Sequence, residues 1–284
     1  MKTLTVNHAP ARQGRTARLV AGASFAALLS VAPLQAAVAQ TAPNLGAAGS
    51  FGVLAGTAVT CTNSVVNGDV GIAAAGSAVV QTSCTINGSI HAGDSVAAAA
   101  YGDFLTAYAA LAQSACDAPM TGTLAGATLP PGVYCFDAAA TLTGQLTLDG
   151  PPAGVWIFLI GTSGTGALTG TNFSVVMTGG GQPCNVYWWV AQAVTMTTSA
   201  FQGTILAGAD STFTGGSLIG RDLVKGATTM TGVTASACSP GTPPSTCKDF
   251  VTGGGWIMAP DGEKGTFGVS GGMKKDKPWG HLTY

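Results

Sequence analysis

Thr195-Met196-Thr197, Thr212-Phe213-Thr214 and Thr229-Met230-Thr231 recur at an interval of about 17 residues, and this repeat is the clearest offer of chemistry in the sequence. An apolar residue between two threonines is strand alternation, which turns Met196, Phe213 and Met230 inward and the threonines outward. On successive turns of a coil equivalent residues sit about 4.8 Å apart, and the two threonines of one strand roughly 7 Å apart. The product is an uncharged lattice of hydroxyl and methyl groups, stiff because threonine is β-branched. Such a lattice suits adsorption of an ordered, repetitive ligand through many weak contacts rather than bond making. The plainer account, that threonine favours strands, covers any single Thr well and three aligned pairs less well.

Catalysis needs charged partners, and the chain is poor in them. Charged residues make up 8% of the sequence, against about 25% in an average soluble protein. Glu263 is the sole Glu, and Asp69, Asp94, Asp103, Asp117, Asp137, Asp149 and Asp210 stand mostly beside Gly or Ala in turn or cap contexts. Arg221-Asp222 with Lys225 is the one charged cluster between Gln40 and Cys238, and it reads as a surface ion pair. No nucleophile, base and orienting acid assemble into a triad, so no catalytic residue and no cofactor are expected. A metal site is not expected either, because no Cys-x-x-Cys occurs and His91 and His281 lie far apart. Between the basic N-terminus and Arg221 there is no Lys or Arg, which excludes a nucleic-acid partner.

Seven cysteines fall in the region that follows a secretory-type leader, where disulfides are permitted. The spacing favours Cys61 with Cys84 and Cys116 with Cys135, each closing a loop of about 20 residues that contributes roughly 3 kcal/mol. Cys184, Cys238 and Cys247 leave one over whichever way they pair.

The elements that must position the threonines follow from composition. With 46% hydrophobic residues, 42 Gly and 14 Pro, small residues dominate, which favours a turn-rich, tightly wound β architecture. Residues 1–39 read as a signal peptide: Lys2, Arg12, Arg15 and Arg18 precede an apolar run, and Ala37-Val38-Ala39 supplies the cleavage pattern. The mature chain then starts near Gln40, exported, with no membrane insertion after cleavage. Phe51 to Gly56 leads into Thr60-Cys61-Thr62, with Gly68 six residues on, the layout of the downstream rungs. Residues 93–114 read as one helix, capped by Asp94 or Ser95, with Ala97, Tyr101, Phe104, Tyr108 and Leu111 on one stripe. That stripe must cover one flank of the coil. Val155 to Ile160 and Val186 to Val190 are continuous apolar runs, expected to be strands buried on both faces. Residues 239–247 read as a linker, and residues 248–284 as a Gly-rich C-terminal module.

The order of solenoid start, long helix and solenoid finish resembles the microbial ice-binding protein family over residues 44–236. The resemblance is carried by residues 45–56, Gly68-Asp69-Val70-Gly71, Ile90-His91-Ala92, Pro131-Gly132-Val133-Tyr134-Cys135-Phe136, Cys184-Asn185-Val186-Tyr187-Trp188 and Gly220-Arg221-Asp222-Leu223. It implies a mainly β fold, a discontinuous right-handed β-helix with one long helix alongside, spanning residues 40–238 here. Some members carry Thr-Ala/Gly-x-Thr/Asn on the binding face. Thr231-Gly232-Val233-Thr234 and Thr169-Gly170-Thr171-Asn172 match it, Thr214-Gly215-Gly216-Ser217 nearly so, and Thr197-Thr198-Ser199-Ala200 departs from it.

Together these readings predict a secreted, monomeric protein that binds an ice crystal surface without catalysis. The expected ice-binding residues are Thr195, Thr197, Thr212, Thr214, Thr229 and Thr231, extended by Thr169, Asn172, Ser217 and Thr234. The C-terminal module offers a route to cell-surface association. The alternative is a cell-surface or matrix module that keeps the fold and binds glycan or protein.

Overall fold

A computed structural model of the chain describes residues 40–238, 250–258, 264–274 and 277–283. The expected signal peptide 1–39, the expected linker 239–247 with Cys247, and the remaining gaps of the expected C-terminal module lie outside the described residues. The described chain forms an all-parallel coil of short strands, one long helix, and a separate three-stranded antiparallel sheet of Phe250–Met258, Lys264–Lys274 and Lys277–Thr283.

Each full turn of the coil runs along three flat sides, distinguished here as the helix face, the threonine face and the third face. Strand alternation decides what each side does. On the helix face lie Gly132–Phe136, Trp156–Ile160 and Val186–Val190, paired in that order, followed by residues 204–207 and 221–224. These strands are buried on both sides, as their unbroken apolar runs predict. Phe158 and Trp188 point into the coil and stack at 3.9 Å between ring centroids, while Ile157, Leu159, Tyr187 and Trp189 point out toward the helix.

The helix spans Ser95–Leu111, with the Asp94 carboxylate accepting from the Ala97 N–H as its cap. Ala97, Phe104, Tyr108 and Leu111 of the expected stripe are buried, and Tyr101 is half-buried. Reciprocal bonds fix the docking: Trp189 Nε1 donates to the Tyr108 carbonyl at 3.0 Å, and the Tyr108 hydroxyl donates to the Val190 carbonyl at 3.2 Å.

The coil is discontinuous in sequence. Phe51–Ala55 pairs with residues 222–224, and Val59–Thr62 pairs with Thr228–Thr231. The first turns of the chain therefore stack beyond its last, and the helix carries the backbone to the opposite end. Disulfides join Cys61 to Cys84, Cys116 to Cys135 and Cys184 to Cys238. The first two are the expected pairs; the third resolves the partner of Cys184.

One expectation fails. Arg221 and Asp222 are adjacent on a strand and so face opposite ways, which prevents a surface pair with each other. Asp222 is fully buried inside the coil, where its Oδ2 accepts from Ser211 Oγ at 2.5 Å and Thr228 Oγ1 at 2.7 Å. Arg221 faces outward and is 5% exposed, held by uncharged acceptors. Lys225 sits over the Tyr108 ring, 3.9 Å from its centroid.

Candidate functional site

The strand register assembles the threonines into two columns. The first runs Thr141, Thr169, Thr195, Thr212, Thr229 and Thr60, and ends at Val80. The second runs Thr143, Thr171, Thr197, Thr214, Thr231, Thr62 and Thr82 without interruption. Between them lie Leu142, Gly170, Met196, Phe213, Met230 and Cys61, all buried, so the threonines are the outward positions. Every one of them is exposed or half-exposed. The face is about 29 Å long at roughly 4.8 Å per strand, with the columns about 7 Å apart.

The corner after the second column explains the tetrapeptide pattern. Each residue that follows a second-column threonine has a left-handed backbone: Gly144, Asn172, Thr198, Gly215, Gly232, Asn63 and Ser83 have φ between 47° and 69°. Gly and Asn tolerate that conformation best, which is why Gly follows Thr214 and Thr231. Where Thr198 takes the position, its hydroxyl donates to Asn172 Oδ1 on the neighbouring turn. Buried Ser199 and Ser64 lock the corner between coils, since Ser64 Oγ donates to the Thr62 carbonyl at 2.8 Å and accepts from the Val233 N–H at 3.0 Å.

This geometry divides the residues expected in one patch. Thr169, Thr195, Thr197, Thr212, Thr214, Thr229 and Thr231 share the threonine face. Asn172 occupies the corner. Ser217 and Thr234 lie beyond it on the third face, in a column with Ser174, Ala200 and Val65. Thr169-Gly170-Thr171-Asn172 is also out of phase with Thr231-Gly232-Val233-Thr234, because Thr169 pairs with Thr195 and Thr171 with Thr197. The in-phase tetrapeptide is Thr171-Asn172-Phe173-Ser174. Thr60 and Thr62, read from sequence as an early rung, and Thr171, named only within its tetrapeptide, join the columns, and Thr141, Thr143 and Thr82 complete them without having been singled out. The spacing from Thr169 to Thr195 is 26 residues and from Thr141 to Thr169 it is 28, so a search at period 17 passes over them.

The face carries no charge. The two cations between Gln40 and Cys238, Arg221 and Lys225, both stand on the helix side. Asp210 borders the face, where its Oδ1 accepts from the Ala227 N–H at 2.7 Å and so closes a turn. Among the described residues no group of three or more His, Cys, Asp or Glu is gathered to hold a metal. What this surface offers is shape and periodicity.

Residues 53–236 match the Ice-binding-like family model. The chain belongs to that family. An ice-binding protein of Nostoc sp. (strain HG1) is 42% identical over 203 residues, covering 68% of this chain and 74% of the relative. A Typhula ishikariensis ice-binding protein, K3-B1, is 33% identical over 204 residues, covering 63% and 82%. Among solved structures, the ice-binding protein of the Antarctic ascomycete Antarctomyces psychrotrophicus superposes with a TM-score of 0.65 at 32% identity, covering 70% of this chain and all of that one. The sequence resemblance and the discontinuous solenoid thus lead to one family. No helix among the described residues is long and apolar enough to cross a membrane.

Proposed function

We propose that the chain is an exported ice-binding protein that adsorbs to ice through the threonine face, without catalysis. The observation that carries this reading is the unbroken second column from Thr143 to Thr82, in register with a first column from Thr141 to Thr60. Thr169, Thr195, Thr197, Thr212, Thr214, Thr229 and Thr231 form the centre, and Thr171, Thr141, Thr143, Thr60, Thr62 and Thr82 lengthen it. Asn172 holds the corner, and Ser217 and Thr234 line its far side as a secondary rim.

Each hydroxyl and methyl contributes little. Adsorption comes from many contacts made at once by a face that loses almost no entropy on binding, because its threonines are already fixed by strand and rotamer. Residues 1–39 direct export, residues 239–247 link the solenoid to the C-terminal module, and that module associates the protein with the cell surface. The solenoid acts as a monomer.

Ice growth in a dilute solution of the purified protein tests this reading. Faceted crystals and a gap between melting and freezing are expected. Free growth of unshaped crystals in the presence of folded protein would remove ice as the ligand.

A further inference from the structure

The guanidinium of Arg221 is a buried charge that the threonine face does not use. Its Nε, Nη1 and Nη2 donate to the Gly49 carbonyl at 2.9 Å, Thr204 Oγ1 at 3.2 Å and the Cys238 carbonyl at 2.9 Å. None of these acceptors carries charge, and the ion pair found among the described residues joins His91 to Asp94 instead. A guanidinium has five N–H donors, so two remain beyond those bonds. Burial pushes Arg221 below its ordinary value, and the group that counters this is Tyr187.

Tyr187 lies in the same column of the helix face, paired with Thr204, which pairs with Arg221. It is 6% exposed, yet its hydroxyl has no hydrogen-bond partner among the described residues. Both side chains line a cleft of about 850 Å3 whose wall also includes Asn44, Asn67, Asp69 and Asn185. None of its lining residues belongs to the threonine columns. The size is that of a small-molecule site.

The polar inventory of the wall defines the ligand. Asn44 Oδ1 is taken by the Gly46 N–H and Asn185 Nδ2 donates to the Pro152 carbonyl, which leaves the Asn44 amide donors and the Asn185 carbonyl free to engage a ligand. Asp69 uses one oxygen on the Ser89 N–H, and its other oxygen accepts hydroxyls while disfavouring a doubly charged phosphate. Arg221 and Tyr187 are the donors a carboxylate takes.

We propose that this cleft binds a sugar carboxylate, a small ligand with one carboxylate for Arg221 and Tyr187 and several hydroxyls for Asn44, Asp69 and Asn185. The site is independent of the threonine face and of what that face binds.

Calorimetric titration of the protein with glucuronate at low salt tests the assignment, with glucose and sulfate as controls. Saturable glucuronate binding is expected, with much weaker binding of both controls. Tyr187→Phe removes a single hydroxyl and keeps the ring, so the fold stands; its glucuronate affinity falls about tenfold while ice shaping is unchanged. Arg221→Lys keeps the charge but loses the fork and binds at least as poorly. An oligoglucuronate that also binds assigns the ligand to a polymer, and its exclusion to a free acid; either supports the proposal. Absence of glucuronate binding, or affinity untouched by Tyr187→Phe, overturns it. Sulfate binding as tightly as glucuronate overturns the reading of the hydroxyls, and glucose binding as tightly overturns that of the carboxylate.

Discussion

The helix face and the threonine face are cut from the same coil, with the same strand spacing and the same turns, yet one is sealed and the other is bare. On the helix face both alternating sets of side chains are apolar, apart from Thr204 and Arg221 in the outer set and Asp222 in the inner one. The inner set fills the coil, and the outer set, including Val133, Ile157, Leu159, Trp189, Leu206 and Leu223, is covered by the helix. On the threonine face the inner set is equally apolar, but every outward position in the second column is Thr. Burying a hydroxyl without a partner is costly, and among the described residues nothing is drawn over that side. The contrast teaches that the outward set alone decides whether a side of the coil becomes core or surface.

That contrast can be broken most strongly from the helix side. Phe104 is fully buried between helix and coil, and Phe104→Ala should destabilise the fold by about 3–5 kcal/mol, read as a lowered midpoint in chemical denaturation. A loss under about 1 kcal/mol would mean that the helix does not seal the face.

The two faces are also linked through the interior, because Asp222 leaves a helix-face strand and accepts from Ser211 and Thr228 on threonine-face strands. Burial pushes its carboxyl up from 3.8 to about 6, the two hydroxyls opposing the shift. Since the folded value is the higher one, its neutral form favours the folded state. That contribution is fully present below pH 3.8, is lost as pH rises through about 6, and is on the order of 3 kcal/mol. Wild-type stability should fall between pH 4 and pH 7, and Asp222→Asn should flatten this part of the profile. An identical slope in the variant would place the titration elsewhere.

Substitutions on the bare side act on ice and hardly on folding. Thr214→Tyr, at the middle of the second column, should abolish ice shaping while the melting temperature stays within about 2 °C of wild type. Retained shaping would move the site off this face. Thr62→Tyr tests whether the columns work across the break in the chain, since Thr62 follows Thr231 in space but precedes it by most of the solenoid in sequence. A partial loss of freezing-point depression is expected. The smallest effect belongs to Thr234→Tyr, one corner away on the third face, where activity should be nearly unchanged; a loss equal to that of Thr214→Tyr would show that ice is bound around the corner.

Much of this was legible in residue order. The inward Met196, Phe213 and Met230, the helix stripe with Phe104 and Tyr108, the doubly buried runs and two disulfides follow from periodicity, apolar runs and cysteine spacing. Asp222 was misread because its neighbour Arg221 suggested a pair, and only strand alternation separates them. Asn172, Ser217 and Thr234 were grouped with the threonines by a local pattern that in fact turns a corner at its second residue.

By itself, then, the sequence determined the local alternation, and with it which residues face in and which face out, because that depends on the backbone's period of two and on nothing distant. The family follows from motifs equally local. Which threonines stand side by side was decided only by the tertiary structure. Turns between strands differ in length, from Thr141 to Thr169 and from Thr212 to Thr229, and Thr60 reaches its column by way of a helix that returns the chain to the far end. Lateral register is set by hydrogen bonding and packing between turns, and those interactions join residues that the sequence keeps apart.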